Sequence, residues 1–131
     1  MESEYKDGIA LVEGAFCPIN EARIPLLDWG FLRSDACQDT VSVWDGAFFR
    51  LDDHLERFER SFSRLRMICP YDRDSLRQLA IEAVHLTGLR EAYLQLIMTR
   101  GRPPIGSRDL RLANNSFFLF CVPYISIATP E

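Results

Sequence analysis

The dipeptide Asp45-Gly46 stands between two apolar runs, Thr40-Val41-Ser42-Val43-Trp44 and Ala47-Phe48-Phe49-Arg50-Leu51, and constrains the fold more tightly than any other feature. An Asp-Gly pair suits the two-residue turn whose central residues both need positive φ, and the alternating β-branched flank suits antiparallel strands. Directly downstream, Asp52 predicts a helix N-cap with Leu51 as its hydrophobic staple. Leu55, Phe58, Phe62 and Leu65 then recur at i, i+3, i+7 and i+10, which predicts one buried stripe on a helix from about 53 to 66. A hairpin running straight into such a helix calls for a sheet with a helix packed on one face.

The rest of the chain extends that plan. Ile9 to Val12, Glu13-Gly14 and Ala15 to Cys17 predict an opening hairpin. Positions 71–75 form a break with an acidic cap, followed by a second helix carrying Leu76, Leu79, Ala80, Ala83, Val84 and Leu86 that Gly88 stops. Residues 91–99 predict a strand with Tyr93, Gln95, Ile97 and Thr99 on one face. A loop over 100–115 leads to a last apolar strand over 116–125, interrupted at Pro123. Strands, helix, helix, strands make an α+β domain on a mainly antiparallel sheet with two helices packed on it. Residues 1–8 are expected to be loose, 9–125 to form the domain, and 126–131 to begin a linker toward a further domain.

At 131 residues the chain is long enough to bury one core without staples, and 47% hydrophobic with 26% charged residues is a globular composition. A net charge of −4 argues against nucleic acid as the main partner, since a phosphate backbone rewards a basic face. No apolar run reaches membrane-spanning length. Cys17, Cys37, Cys69 and Cys121 lie in or beside apolar segments without a CxxC pair, so reduced thiols in a cytoplasmic protein are expected. With His54 and His85 as the only histidines, no metal-ligand spacing stands out. Trp29 and Trp44 are expected in the core. Of 15 basic residues one, Lys6, is lysine, so any lysine chemistry within this chain uses Lys6 or does not occur.

Arg57 lies early on the predicted helix, where its charge adds to the helix's positive end and suits a phosphate. Its ordinary alternative is an ion pair with Asp53 one turn earlier. Arg108, with Arg100, Arg102 and Arg111 around it, is either an anion-holding or a solvated loop cation.

In its blocks LVEGAFCPINEARIPLLDWGFLRSD, VSVWDGAFFRLDDHLERF, YLQLIMTRG and GSRDLRLANNSFFLFCVPY, the chain resembles the N-terminal part of the class IV (fold-type IV) pyridoxal-phosphate aminotransferases. The resemblance is closest to the branch of branched-chain and (R)-selective amine transaminases. It implies a homodimeric enzyme that moves an amino group between an amine or amino acid and a 2-oxo acid, using pyridoxal 5'-phosphate. It implies that Arg57, ending the HxxR of His54-Leu55-Glu56-Arg57, holds the cofactor phosphate. It implies substrate-facing places for Arg33 (commonly histidine in (R)-amine transaminases), Gln38 (often tyrosine in this branch), Thr40, Tyr93 and Gln95, and a carboxylate-holding mobile loop for Arg108. The family's Schiff-base lysine matches no position here, so no catalytic residue is assigned and the chain is expected to be inactive alone. The alternatives left open are an aminodeoxychorismate-lyase-like enzyme and a stand-alone dimerisation or anion-binding domain.

Overall fold

A computed structural model of the chain describes residues 3–125. Nine elements organise it: β1 (Ile9–Val12), β2 (Ala15–Pro18), α1 (Trp29–Leu32), β3 (Ala36–Trp44), β4 (Ala47–Phe48), α2 (Leu51–Arg64), α3 (Arg73–Thr87), β5 (Ala92–Arg102) and β6 (Asn114–Pro123). The six strands form one antiparallel sheet in the order β2-β1-β6-β5-β3-β4. This is the α+β architecture expected from the sequence.

Both tight hairpins form as predicted. Glu13 and Gly14 (φ 51° and 81°) close β1–β2, and Asp45 and Gly46 (φ 53° and 79°) close β3–β4; positive φ at both central residues matches the strand twist. Strand β3 is longer than predicted and β4 only two residues, pairing Val43 with Phe48 and Trp44 with Ala47. The edge of β3 from Ala36 to Val41 therefore lacks a strand partner on that side among the described residues.

Alternation along the strands sets the two faces of the sheet. One face carries Val41, Val43, Leu94, Leu96, Met98, Leu119 and Cys121, all buried beneath α2 and α3. From α2 come Leu55, Phe58 and Phe62, with Phe58 edge-on to Phe62 at 5.3 Å and to Phe117 at 6.2 Å. The other face has no helix over its centre and carries Gln38, Thr40, Tyr93, Gln95 and Phe120.

Four expectations need correction. Helix α2 begins at Leu51, with Arg50 in the left-handed region as its N-cap, so Asp52 is not the cap. Asp52 and Asp53 sit instead in the first turn, where they favour the helix's positive end and pair with Arg77 (2.6 Å) and Arg50 (2.7 Å). The helix also ends before Leu65, which is 38% exposed; Met67, 4% exposed, closes the stripe. Trp44 leaves the core because its strand position points to the helix-free face, where it meets Tyr124 at 4.5 Å. At residues 3–8 the expected loose start is a docked turn: the Ser3 hydroxyl donates to the Leu86 carbonyl at 2.8 Å and Tyr5 packs on the core. The expected linker start at 126–131 lies outside the described residues.

Candidate active site

The strongest polar constellation couples β3 to α2. Asp39 belongs to the buried face of β3, and only 2% of its side chain is exposed. Leaving a carboxylate there unpaired would be costly, and α2 supplies the partners. Arg57 donates through Nε (2.7 Å) and Nη2 (2.9 Å), and His54 Nδ1 lies 2.7 Å from Asp39 Oδ1. Burial alone would raise the Asp39 carboxyl, but hydrogen bonds from Arg57 and His54, and their charges, outweigh it and hold the group below the ordinary carboxylate range.

Arg57 is thus tethered on one edge and open on another. Its pairing with Asp39 uses Nε and Nη2, leaving the outer guanidinium edge, with Nη1, directed away from the carboxylate. Its side chain is 59% exposed and lines a cavity of about 390 Å³ with Phe49, Arg50, Asp53, His54, Glu56 and Arg60. The alternative pairing of Arg57 with Asp53 does not form, because Asp53 takes Arg50. Arg60 is partly neutralised by Glu56 at 3.1 Å. The donor set fits a phosphate: a bidentate-capable guanidinium held by a buried carboxylate, flanked by a second arginine at a helix start. Sequence patterning missed Asp39, which reads as the polar member of an alternating strand. The signal that could have found it is an acid on the face that Val41 and Val43 bury.

The other expected positions lie across the sheet. Gln38, Thr40, Tyr93 and Gln95 occupy the helix-free face, with Thr40 opposite Gln95 in the register. The Gln95 amide hydrogen-bonds the Gln38 side-chain oxygen, and Tyr93 stands edge-on to Phe120 at 6.2 Å. Beside them Ile24, Phe31, Ile97, Phe118 and Phe120 line an apolar cavity of about 340 Å³. Arg33 is exposed just after α1, its guanidinium 5.3 Å above the Trp29 ring. Arg108 is exposed on the 103–109 loop. The two groups of residues flank the unpaired stretch of β3 edge, where adjacent positions point to opposite faces: Asp39 toward α2, Gln38 and Thr40 away from it.

Lys6 is remote from this place. It precedes β1, which is separated from β3 by β6 and β5, so three strand spacings alone put it about 14 Å away across the sheet. His85 is exposed on α3. Among the described residues no group of three or more His, Cys, Asp or Glu side chains could hold a metal, no helix is long and apolar enough to cross a membrane, and all four cysteines are free thiols.

An antiparallel sheet with helices on one face and an arginine-bearing helix against its β3 edge defines a class that comparison with known proteins identifies. Residues 36–130 match the model of the Amino-transferase class IV family, and the chain belongs to that family. It is 25% identical over 112 residues to a putative branched-chain-amino-acid aminotransferase of Methanocaldococcus jannaschii, covering 86% of this chain and 39% of that protein. It is 30% identical to a chloroplastic D-amino-acid transaminase of Arabidopsis thaliana, over 77% of this chain and 26% of the relative. The fold matches the branched-chain aminotransferase of the thermophilic archaeon Thermoproteus uzoniensis, crystallised with norvaline, with a TM-score of 0.76 at 23% identity; 88% of this chain and 40% of that one are covered. The chain therefore spans from about a quarter to two fifths of these relatives' lengths.

Proposed function

We propose that this chain is the small-domain part of a pyridoxal 5'-phosphate-dependent transaminase, one that moves an amino group between an amine or amino acid and a 2-oxo acid. The observation that carries the reading is the Asp39–Arg57–His54 cluster, which leaves one edge of a tethered arginine open to a cavity beside the β3 edge. Arg57 would hold the cofactor phosphate, with Asp39 fixing its rotamer so that little side-chain freedom remains to be lost on binding. Pyridoxal phosphate, when bound, supplies an electron sink for charge developing at the substrate Cα.

This chain's own residues bind and orient. Gln38, Thr40, Tyr93 and Gln95 would form one wall of the substrate pocket, reached from Arg57 across the unpaired β3 edge. The Gln38–Gln95 amide pair makes that wall polar where the apolar cavity around Phe118 and Phe120 adjoins it. Arg33 would face the substrate, and Arg108 would hold its carboxylate. The lysine that takes and returns the substrate proton would come from outside this chain, since Lys6 lies strands away, and a homodimer would be the working unit.

A titration with pyridoxal 5'-phosphate tests the assignment. Arg57→Ala should weaken cofactor binding about tenfold or more, as loss of a charge-assisted bidentate contact requires. Unchanged affinity would sink the phosphate role. Borohydride fixation of the cofactor onto Lys6 would overturn the claim that the reacting lysine lies elsewhere.

A further inference from the structure

The segment from Asp28 to Asp35 is held more firmly than its packing explains. Helix α1 buries none of its four residues, and Phe31 and Leu32 are 61% and 46% exposed. Yet both ends of the segment are fastened to β5 by carboxylates. Asp28, 1% exposed, accepts from the Gly30 amide at 2.7 Å with one oxygen and from the Thr99 hydroxyl at 2.9 Å with the other. Asp35 accepts from Arg100 Nε at 2.9 Å and Nη2 at 3.2 Å, and its carbonyl takes the Arg100 amide at 2.9 Å. That pair is largely buried, with side chains 20% and 12% exposed.

The fit between segment and strand is close. A Cβ on Gly30 would stand 2.5 Å from Thr99 Cγ2, so no side chain is possible there without moving β5. Ser34, at φ 57°, lies in the left-handed region that non-glycine residues rarely adopt, and it turns the chain between Arg33 and Asp35. Arg100 also donates to the Leu65 carbonyl at 2.8 Å, so the same clamp reaches the C-terminal end of the helix that bears Arg57.

What the clamp presents is Arg33. This arginine forms no ion pair among the described residues, and its guanidinium lies over the Trp29 ring of the same turn. A desolvated pair of carboxylates at the ends of a segment that adds nothing to the core makes physical sense as preorganisation, which removes conformational freedom before a ligand arrives.

We infer that Asp28 and Asp35 are positioning residues, which clamp the Trp29–Arg33 turn to Thr99 and Arg100 so that Arg33 meets a small-molecule carboxylate in a preset orientation. The inference rests on the reading of Arg33 as a substrate-facing cation. Asp28, Asp35, Thr99 and Arg100 are not among the residues that line the cavity beside Arg57.

Trp29 reports on it. In a Trp44→Phe background the remaining tryptophan is the one beneath Arg33, so a carboxylate that pairs with the guanidinium above its ring changes its fluorescence. Pyruvate, titrated at constant ionic strength against chloride, should give a saturable change that Arg33→Gln abolishes. Thr99→Val removes one hydroxyl donor and keeps the strand's shape, and Asp28→Asn removes the buried charge. Each should weaken the pyruvate response about tenfold, the cost of roughly one hydrogen bond to a charged group. Pyridoxal 5'-phosphate affinity should stay at its wild-type value in both variants, which also shows that they fold. Wild-type pyruvate affinity in both clamp variants overturns the inference, and so does a full Trp29 response in Arg33→Gln. Failure of the cofactor titration with an intact, clamp-dependent Trp29 response overturns the phosphate assignment and supports the clamp.

Discussion

Replacing Asp39 by asparagine tests the central cluster most directly. Asparagine keeps the shape and one acceptor oxygen but removes the charge that Arg57 and His54 face. The carboxylate is 2% exposed, receives two hydrogen bonds from Arg57 and lies within hydrogen-bond reach of His54, so the loss is not screened by water as a surface pair would be. Charge-assisted hydrogen bonds contribute about 1.5–3 kcal/mol each, and asparagine retains part of them, which puts the cost at about 2 kcal/mol at neutral pH. With a urea dependence of about 2 kcal/mol per molar for a domain this size, the unfolding midpoint should fall by about 1 M. The pH dependence carries the sharper test. Because the folded state holds the Asp39 carboxyl below its ordinary value, its contribution is complete above the unfolded value, about 3.9, and is lost as pH falls through the folded one. The gap between wild type and Asp39→Asn should therefore be constant from pH 7 to about pH 5 and shrink below about pH 4. Urea unfolding followed by tryptophan fluorescence at several pH values measures it. A gap that stays the same at pH 3 as at pH 7 would show that asparagine costs stability through packing alone, and the electrostatic account would fail.

Three further outcomes follow from the same structure. Phe58→Ala, at a fully buried position between Phe62 and Phe117, should cost about 3–5 kcal/mol in chemical unfolding, and a loss below 1 kcal/mol would show that α2 does not carry the core. Burial pushes the Cys121 thiol up to about 12, so in the native protein at pH 8 it should resist iodoacetamide while denatured protein reacts at all four cysteines; rapid native labelling at Cys121 would contradict its placement. Hydrogen bonds from the Arg111 side chain and amide hold Asp109 down to about 2, so a carboxyl NMR titration should find its midpoint near there, with the loop contact intact above about pH 4 and lost toward pH 2. A midpoint near 4 would mean that the pairing does not persist in solution.

The fold was legible where local chemistry and tertiary packing agree. The two turns demand positive φ and contain Glu-Gly and Asp-Gly, and the α3 boundaries have their own cap at each end: Asp72, accepting from the Ser75 amide at 2.8 Å, and Gly88 in the left-handed region. The start of α2 was not legible, because Asp52 looks like a cap by type, whereas the helix begins at Leu51 after a left-handed Arg50 and leaves Asp52 in the first turn, paired with Arg77 of α3. That partner is 25 residues away and invisible to any local rule. The site divides the same way. Arg57 could be singled out by its place on a helix, but its partner Asp39 could not, since only strand register decides which acid of β3 is buried. Asp28 and Asp35 were likewise unreadable, because nothing short of the assembled sheet brings Thr99 and Arg100 to them.

The register of β3 bears most directly on function. A strand inside a sheet separates what lies on its two faces, and the residues expected to share a pocket do lie on opposite faces. The brevity of β4 resolves this: with only Val43 and Trp44 paired to it, β3 becomes an edge at the place where Asp39 faces α2 and Gln38 and Thr40 face away. A ligand held at Arg57 need not pass through the sheet, since it can lie across that edge and meet both faces within one strand's thickness. Lengthening β4 to pair with Ala36–Val41 would close this passage while leaving the core and the Asp39–Arg57 pair intact. On the proposed reading such a variant should stay folded and yet lose affinity for pyridoxal 5'-phosphate, whereas a cofactor seated wholly on the helix side would be unaffected.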